Sequence, residues 1–274
     1  MPPRPAPTHF LCIPLAGSQL ARSLASFRAD ITSPSPAGFD VPEQAVRPPG
    51  TLHLTLGVMT LRDDDGSLAR AVDLLRCLRL RDVLEQARTA TATAAAAAGA
   101  RAVAPRTTTR PPAAGERLSV TLQGLQAMQR PSETSVLYAP PADPTGVLRR
   151  FCESLRRVFQ EAGLMAEEQR PLLLHATVVN TVYVRGQRRQ QQQQQQQRGR
   201  GSSSNNNGRQ NGGGRRERMT IDARDIIARY DDYVWVEDMP VGKVAICRMG
   251  ARRIEGTDGD EAYEVEAQVS LRGS

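Results

Sequence analysis

The sequence has few aromatic residues, no long apolar run and no paired cysteines, and each shortage excludes a class of protein. Aromatic residues make up 4% and hydrophobic residues 39% of the 274 residues, which is low for one compact domain and indicates that part of the chain lies outside a core. No run of about 18 apolar residues is present, which excludes a membrane span. The first ten residues, MPPRPAPTHF, include no apolar stretch of the signal-peptide type. We therefore expect an intracellular protein, in the nucleus or the cytoplasm.

The positions of the four cysteines also argue against two common structural features, a zinc site and a disulfide framework. They lie far apart, form no CxxC pair and have no histidine cluster beside them, so the sequence indicates neither a zinc site nor a disulfide framework. We expect reduced thiols, most of them buried, and neither a metal nor another cofactor. The four positions are Cys12, Cys77, Cys152 and Cys247.

The net charge of +7 is concentrated in two unusual segments. Residues 185–218 carry a net charge of +8 and residues 88–115 one of +4, so the rest of the chain is acidic at −5. The high isoelectric point alone would therefore overstate the case for a basic nucleic-acid-binding surface.

Both segments have the composition of inserts in a single domain that spans residues 6–272. Residues 88–115 are rich in Ala, Thr and Pro and lack an apolar face, so we expect no packed helix there and predict disorder. Residues 186–217 are rich in Gln, Arg, Asn and Gly and have almost no apolar side chain to bury, which predicts disorder. The arginines of this second insert could contact RNA phosphates nonspecifically, although a tolerated low-complexity expansion is the simpler interpretation.

The remaining residues alternate between strand and helix patterns, which predicts an α/β or α+β domain. We expect helices at 18–29, 67–87 and 145–162. The predicted strands are 8–15, 51–59, 118–125, 135–139 (which could pair with the one before it), 171–183, 234–237, 243–249 and 262–271.

Two of the three histidines occupy matching contexts. Both the LHLTL and the LHATV segments place a histidine and a threonine two residues apart in an apolar strand, where alternation puts both side chains on one face. Two such strands side by side would hold two His-Thr pairs around a common cleft. These residues are His53 with Thr55 and His175 with Thr177.

This arrangement suits the cleavage of a phosphodiester. With an ordinary pKa of about 6.5, one imidazole can accept a proton from the attacking oxygen while the other donates one to the leaving oxygen. The threonine hydroxyls can bind the non-bridging oxygens, and no metal is required. A packed histidine is the alternative for each motif taken singly. His9 lacks a hydroxyl two residues on, so we assign it to the structure or the rim of the cleft.

A family resemblance supports the paired motif. The stretches THFLCIPL, PPGTLHLTLGVMTL, LSVTLQGLQAMQRPSETSVLYA, LLLHATVVNTVYVRG, MTIDARDII and VAICRMG follow one another in the order found in a known family. The chain resembles the two-histidine (2H, LigT-like) phosphoesterases, in the branch of the A-kinase-anchoring-protein-type domain and the activating signal cointegrator complex subunit 1. The resemblance implies an α+β, bilobal LigT-like fold with two β/α halves around a central cleft. The two low-complexity inserts are unlike typical members.

The resemblance also implies a function. It assigns catalysis to His53, Thr55, His175 and Thr177, and a substrate with a 2′,3′-cyclic or 2′,5′-linked phosphodiester in RNA or an oligonucleotide. The alternative is a catalytically idle module that binds nucleotide or RNA within a transcription-coactivator or repair complex.

Further candidates carry weaker signals. Tyr183 and Arg185 continue the alternation beyond Thr177 and could stack on a base and pair with a phosphate, or simply close the strand. We assign Asn180 and Trp235 to structure. The Asp-Ala-Arg segment at 222–224 predicts a turn or the start of a helix.

Overall fold

The computed structural model describes residues 5–34, 36, 38–99, 117–167, 170–184, 219–257 and 260–271. The part of the first insert beyond residue 99 and the whole of the second insert lie outside these ranges, as does Arg185. The described residues form an α+β fold, as the sequence predicted.

Five helices and twelve strands make up the described part of the chain. The helices are α1 (Ser18–Thr32), α2 (Ser67–Cys77), α3 (Leu80–Gly99), α4 (Val147–Glu161) and α5 (Arg224–Arg229). The strands are β1 (His9–Pro14), β2 (His53–Met59), β3 (Ser119–Gln123), β4 (Gln126–Ala127), β5 (Val136–Ala139), β6 (Pro141–Ala142), β7 (Ala176–Asn180), β8 (Val234–Pro240), β9 (Lys243–Arg248), β10 (Arg252–Arg253), β11 (Glu261–Ala262) and β12 (Val265–Ser270).

The largest sheet combines the two ends of the chain. Its strand order is β12-β9-β1-β2, all antiparallel, which leaves β2 at one edge. Along β1 and β2, His9 pairs with Met59 and Pro14 with His53, so His9 and His53 lie at opposite ends of the two strands.

The middle of the chain builds two further sheets. They have the orders β6-β3-β8 and β4-β5-β7, again antiparallel, and β7 is an edge strand of the second. The chain returns to the large sheet across Val241 and Gly242, because β8 pairs with β3 whereas β9 pairs with β1. The histidine motifs therefore belong to different sheets, each at an edge strand.

Helix α4 buries an apolar stripe that its sequence predicts. In α4 the buried residues recur every three or four positions, which is the spacing of one helix face. The Asp143 carboxylate caps this helix by accepting hydrogen bonds from the backbone N–H groups of Leu148 and Arg149, at 3.3 and 2.8 Å. The apolar side chains of both halves form one continuous core, so the two motif strands rest on a common packed base.

Two helices replace the single helix expected at 67–87. The segment breaks after Cys77, where Leu78 is extended and its N–H caps the helix by donating to the Leu75 carbonyl. The next helix, α3, runs to Gly99. Residues 88–99, which we expected to belong to a disordered insert, thus extend a helix, because their alanines have the highest helix propensity and the turn before them is anchored by buried Leu84 and Ala87.

The strand expectations need two corrections. The strands at 118–125 and 135–139 do not pair with each other: β3 lies between β6 and β8, while β5 lies between β4 and β7. The strand expected at 171–183 is shorter, since β7 covers only Ala176–Asn180 and ends in a 3₁₀ turn at Thr181–Tyr183. Asn180 starts that turn, its side chain accepting a hydrogen bond from the Val182 N–H at 3.1 Å.

The cysteines behave as the sequence indicated. All four are free; Cys77 is exposed and the other three are buried. The sulfur atoms of Cys12 and Cys247 lie 3.8 Å apart on neighbouring strands β1 and β9.

None of the described helices is both long enough and apolar enough to span a membrane.

Candidate active site

The two histidine motifs meet where the edge strands β2 and β7 lie beside each other. The segment that leads into β2 joins them: Val46 forms an isolated antiparallel bridge with Val179, and the N–H of Arg47 donates to the Val178 carbonyl at 2.8 Å. His175 is close enough to His53 for their charges to interact. We call His53, Thr55, His175 and Thr177 the paired-histidine site.

The first motif has the alternation that a half-buried strand predicts. His53 and Thr55 are partly exposed, while Leu54 and Leu56 between and beyond them are buried in the core. The strand therefore presents an imidazole and a hydroxyl on its open face.

The second motif repeats this pattern. His175 and Thr177 are partly exposed, and Ala176 and Val178 are buried. His175 lies one residue before β7 begins, so its backbone belongs to the extended approach to the strand. Each half thus contributes one imidazole and one hydroxyl.

Each imidazole is held by a hydrogen bond of the same kind. Nδ1 of His53 donates to the carbonyl of Thr51, at 2.7 Å, and Nδ1 of His175 donates to the carbonyl of Leu173, at 2.8 Å. A carbonyl can only accept, so each Nδ1 carries the hydrogen. In the neutral ring this leaves the lone pair on Nε2, at the opposite side of the imidazole, for an incoming ligand.

The ring of His53 is packed between two aromatic side chains. Its centroid lies 4.8 Å from that of Phe10 and 5.3 Å from that of Tyr263. Burial lowers the pKa of His53 to about 4, together with the nearby charges of His175 and Arg47 and against the opposing hydrogen bond to Thr51. His53 is therefore neutral at physiological pH.

The surroundings of His175 are more open. Tyr138 of β5 meets its ring edge-on at 5.3 Å between centroids. The Tyr138 hydroxyl donates to the side-chain oxygen of Gln126 at 2.9 Å, and burial raises the pKa of this phenol. Tyr138 thus supports the second imidazole from the neighbouring strand.

A cluster beside His53 was not found from the sequence. Arg47 lies with its guanidinium carbon 3.8 Å from the centre of the Tyr183 ring, and its Nη2 is 3.7 Å from a carboxylate oxygen of Glu261. Burial raises the pKa of Tyr263 to about 12, as does the nearby Tyr183, while the charge of Arg47 opposes the shift. Arg47 precedes two prolines, which signals an extended backbone, but nothing local links it to Tyr263, more than two hundred residues away.

The structure assigns the remaining candidates as follows. Tyr183 is 37% exposed in the turn after β7 and faces Arg47, whereas Arg185 lies outside the described residues. His9 is buried, with Nε2 3.4 Å from Glu266, at the far end of β1 from His53. Trp235 packs in the core, and its indole N–H donates to the Gly124 carbonyl at 2.8 Å.

The segment at 222–224 starts a helix, as one of the two expectations had it. Ala223 is the residue before α5, and the Asp222 carboxylate accepts hydrogen bonds from the backbone and guanidinium of Arg224. In the part of the chain that the structure describes, no group of three or more His, Cys, Asp or Glu side chains could hold a metal ion.

The chain is similar to known proteins over most of its length. The sequence matches the family model of the AKAP7 2'5' RNA ligase-like domain over residues 7–271. An uncharacterized protein of Schizosaccharomyces pombe is 24% identical over 266 residues, which cover 96% of this chain and 95% of that protein.

Two solved structures are similar at a lower level. A phosphoesterase crystal structure aligns with a TM-score of 0.47 and 14% identity, covering 98% of this chain and 100% of that chain. Escherichia coli LigT complexed with 3'-AMP aligns with a TM-score of 0.45 and 14% identity, covering 97% of this chain and 99% of that chain.

Proposed function

The chain belongs to the AKAP7 2'5' RNA ligase-like domain family, and we propose that it is a metal-independent phosphoesterase that uses His53 and His175 as an acid–base pair. Its substrate is a phosphodiester of RNA or an oligonucleotide, either 2′,3′-cyclic or 2′,5′-linked. The description of the matched family, which names a 2'5' RNA ligase, supports the 2′,5′ linkage of the two.

The observation that carries this proposal is the matched pair of imidazoles. Two histidines on adjacent edge strands each fix Nδ1 on a backbone carbonyl and keep Nε2 for a ligand. If the two histidines served only packing, nothing would require both halves to hold one in the same tautomer. A phosphodiester does need two proton transfers, one at the attacking oxygen and one at the leaving oxygen.

The roles follow from protonation. His53 is the neutral partner, since burial and nearby positive charge lower its pKa to about 4. In the forward direction its Nε2 accepts the proton of the attacking water or hydroxyl as the new P–O bond forms. The bond from phosphorus to the leaving oxygen breaks as protonated His175 donates its Nε2 proton to that oxygen. The Thr55 and Thr177 hydroxyls donate to the non-bridging oxygens, where negative charge increases in the transition state. In the reverse direction the two histidines exchange roles.

The test is turnover in the presence of EDTA on three substrates: 2′,3′-cyclic nucleotides, 2′,5′-linked oligoadenylate and 3′-end-labelled RNA. We expect at least one to be cleaved, and His53→Ala or His175→Ala each to lower kcat by at least about 10²-fold, the usual worth of general acid–base catalysis. The matched control is His9→Gln, which alters a histidine at the opposite end of β1.

Two results would overturn the proposal. Full turnover in His175→Ala would show that His175 takes no part in the proton transfers. If none of the three substrates is cleaved but nucleotide still binds, the result would favour a catalytically idle RNA- or nucleotide-binding module of a transcription or repair complex. A nuclear or cytoplasmic location is part of the same proposal, because RNA substrates are found there.

A further inference from the structure

Arg47 is buried, and one nitrogen of its guanidinium is unsatisfied among the residues that the structure describes. Its exposed fraction is 4%, and within the described part of the chain its Nη2 has no hydrogen-bond partner. The nearest carboxylate, Glu261, is 3.7 Å away, beyond hydrogen-bond range, and is itself partly exposed. A buried guanidinium in this state costs stability, so a purely structural role explains it poorly.

The backbone of Arg47 is nevertheless held firmly. Its N–H donates to the Val178 carbonyl at 2.8 Å, and its own carbonyl accepts from the guanidinium of Arg28 at 3.4 Å. The prolines that follow restrict the chain before it enters β2. The side chain is therefore held in place between the two halves of the molecule, next to the strand of His53.

Two phenols complete the surroundings of the guanidinium. The ring of Tyr183 lies over it at 3.8 Å, and the hydroxyl of Tyr263 interacts with both Arg47 and Tyr183. Tyr263 also touches the His53 ring edge-on, at 5.3 Å between centroids. With its pKa raised to about 12, the Tyr263 hydroxyl keeps its proton and is a hydrogen-bond donor at neutral pH. A guanidinium and two phenols thus lie together beside His53.

We propose that Arg47, Tyr183 and Tyr263 form an anion subsite that binds the phosphate group on which His53 acts. The two hydroxyls donate to its oxygens, and the guanidinium supplies the positive charge behind them. We call these three residues the Arg47 subsite. The inference rests on the proposed function for the chemistry of the ligand, but its binding prediction holds whether or not turnover occurs.

An anion fits this cluster better than a nucleobase does. Arg47 already covers one face of the Tyr183 ring, which reduces the area on which a base could stack. A guanidinium and phenol hydroxyls are donors, as phosphate oxygens require. Glu261 offsets the charge only partly, because it does not hydrogen-bond to Nη2.

The test compares two probes that differ only in the phosphate, adenosine 5′-monophosphate and adenosine, by isothermal titration calorimetry. Arg47→Met should weaken binding of the nucleotide by about 10-fold or more, the usual worth of a hydrogen bond to a charged group, and leave that of adenosine unchanged. Arg47→Lys should restore part of the affinity. Tyr263→Phe should weaken nucleotide binding by roughly 5-fold, since a neutral hydrogen bond contributes less.

The matched control is Arg157→Met, which removes an exposed arginine that pairs with Glu161 on α4. It should leave both affinities unchanged. Unchanged nucleotide affinity in both Arg47→Met and Tyr263→Phe would overturn the subsite, even if wild-type protein turns over. If Arg47→Met does not fold, Arg47→Lys and Tyr263→Phe decide the question alone. Weakened binding in a protein without turnover would keep the subsite and reject the proposed catalysis.

Discussion

The two histidine motifs share a local design and differ in their surroundings. In both, Nδ1 of the imidazole donates to the carbonyl two residues earlier, and a partly exposed threonine follows two residues later. His53, however, begins a strand that pairs with β1 along its whole length and lies against Phe10 and Tyr263. His175 precedes a short edge strand and meets one aromatic ring, that of Tyr138.

The difference shows how one motif can be placed in two environments. Identical hydrogen bonds set the same tautomer in both rings, so each presents Nε2. Burial, with the nearby charges of His175 and Arg47, lowers the pKa of His53 to about 4. The motif positions the reactive nitrogen, while the surrounding side chains decide whether the ring is charged.

The threonines test whether the two halves contribute equally to charge stabilisation. We expect Thr55→Val and Thr177→Val each to lower kcat by about 10²-fold, the usual cost of removing one donor to a developing negative charge. Steady-state kinetics on the best substrate of the EDTA panel measures this.

Serine variants at the same positions are the matched controls, because they keep the hydroxyl. They should retain most of the wild-type kcat. If Thr55→Val or Thr177→Val keeps the wild-type kcat, the two halves do not contribute equally. Charge stabilisation would then come from the other motif alone.

A smaller effect concerns the pH dependence that His53 gives to the stability of the protein. With a folded pKa of about 4 against about 6.5 in the unfolded chain, His53 binds its proton more readily when unfolded. Its contribution to the free energy of unfolding is therefore complete above about pH 6.5 and decreases as the pH falls towards 4. Between pH 7.5 and 5 we expect a loss of about 2 kcal/mol.

Denaturant unfolding at the two pH values, in wild type and in His53→Gln, isolates this loss from that of other groups. The pH-dependent loss of stability should be smaller in the variant by about that amount. Proton NMR of the imidazoles offers a direct check. A His53 ring that titrates near its ordinary value, or a variant with the same pH dependence as wild type, would contradict the assigned environment.

Much of the fold could be predicted because it depends on local patterns. The three-to-four-residue spacing in α4 and the alternation around His53 each report which side faces the core. The break after Cys77 could not be predicted, since the apolar stripe continues across it and the two helices pack against different partners. Strand pairing was missed for a related reason: β3 and β5 are close in sequence, but their partners β8 and β7 are distant.

The candidate site divides in the same way. His53, Thr55, His175 and Thr177 carry a pattern that can be recognised within three residues. The Arg47 subsite has no such pattern, because Arg47, Tyr183 and Tyr263 come from three separate segments that only the folded chain brings together. Residues that act through long-range packing leave little trace in a single sequence.

The central claim is that His53 and His175 act as one pair on one phosphodiester. The most direct measurement is kcat for the double variant His53→Ala/His175→Ala beside the two single variants, with EDTA present. Groups that act as a unit are non-additive, so we predict that the double variant loses little more than the more damaging single one, about 10²-fold or more. Losses that multiply to about 10⁴-fold, or a single variant with wild-type turnover, would contradict the account.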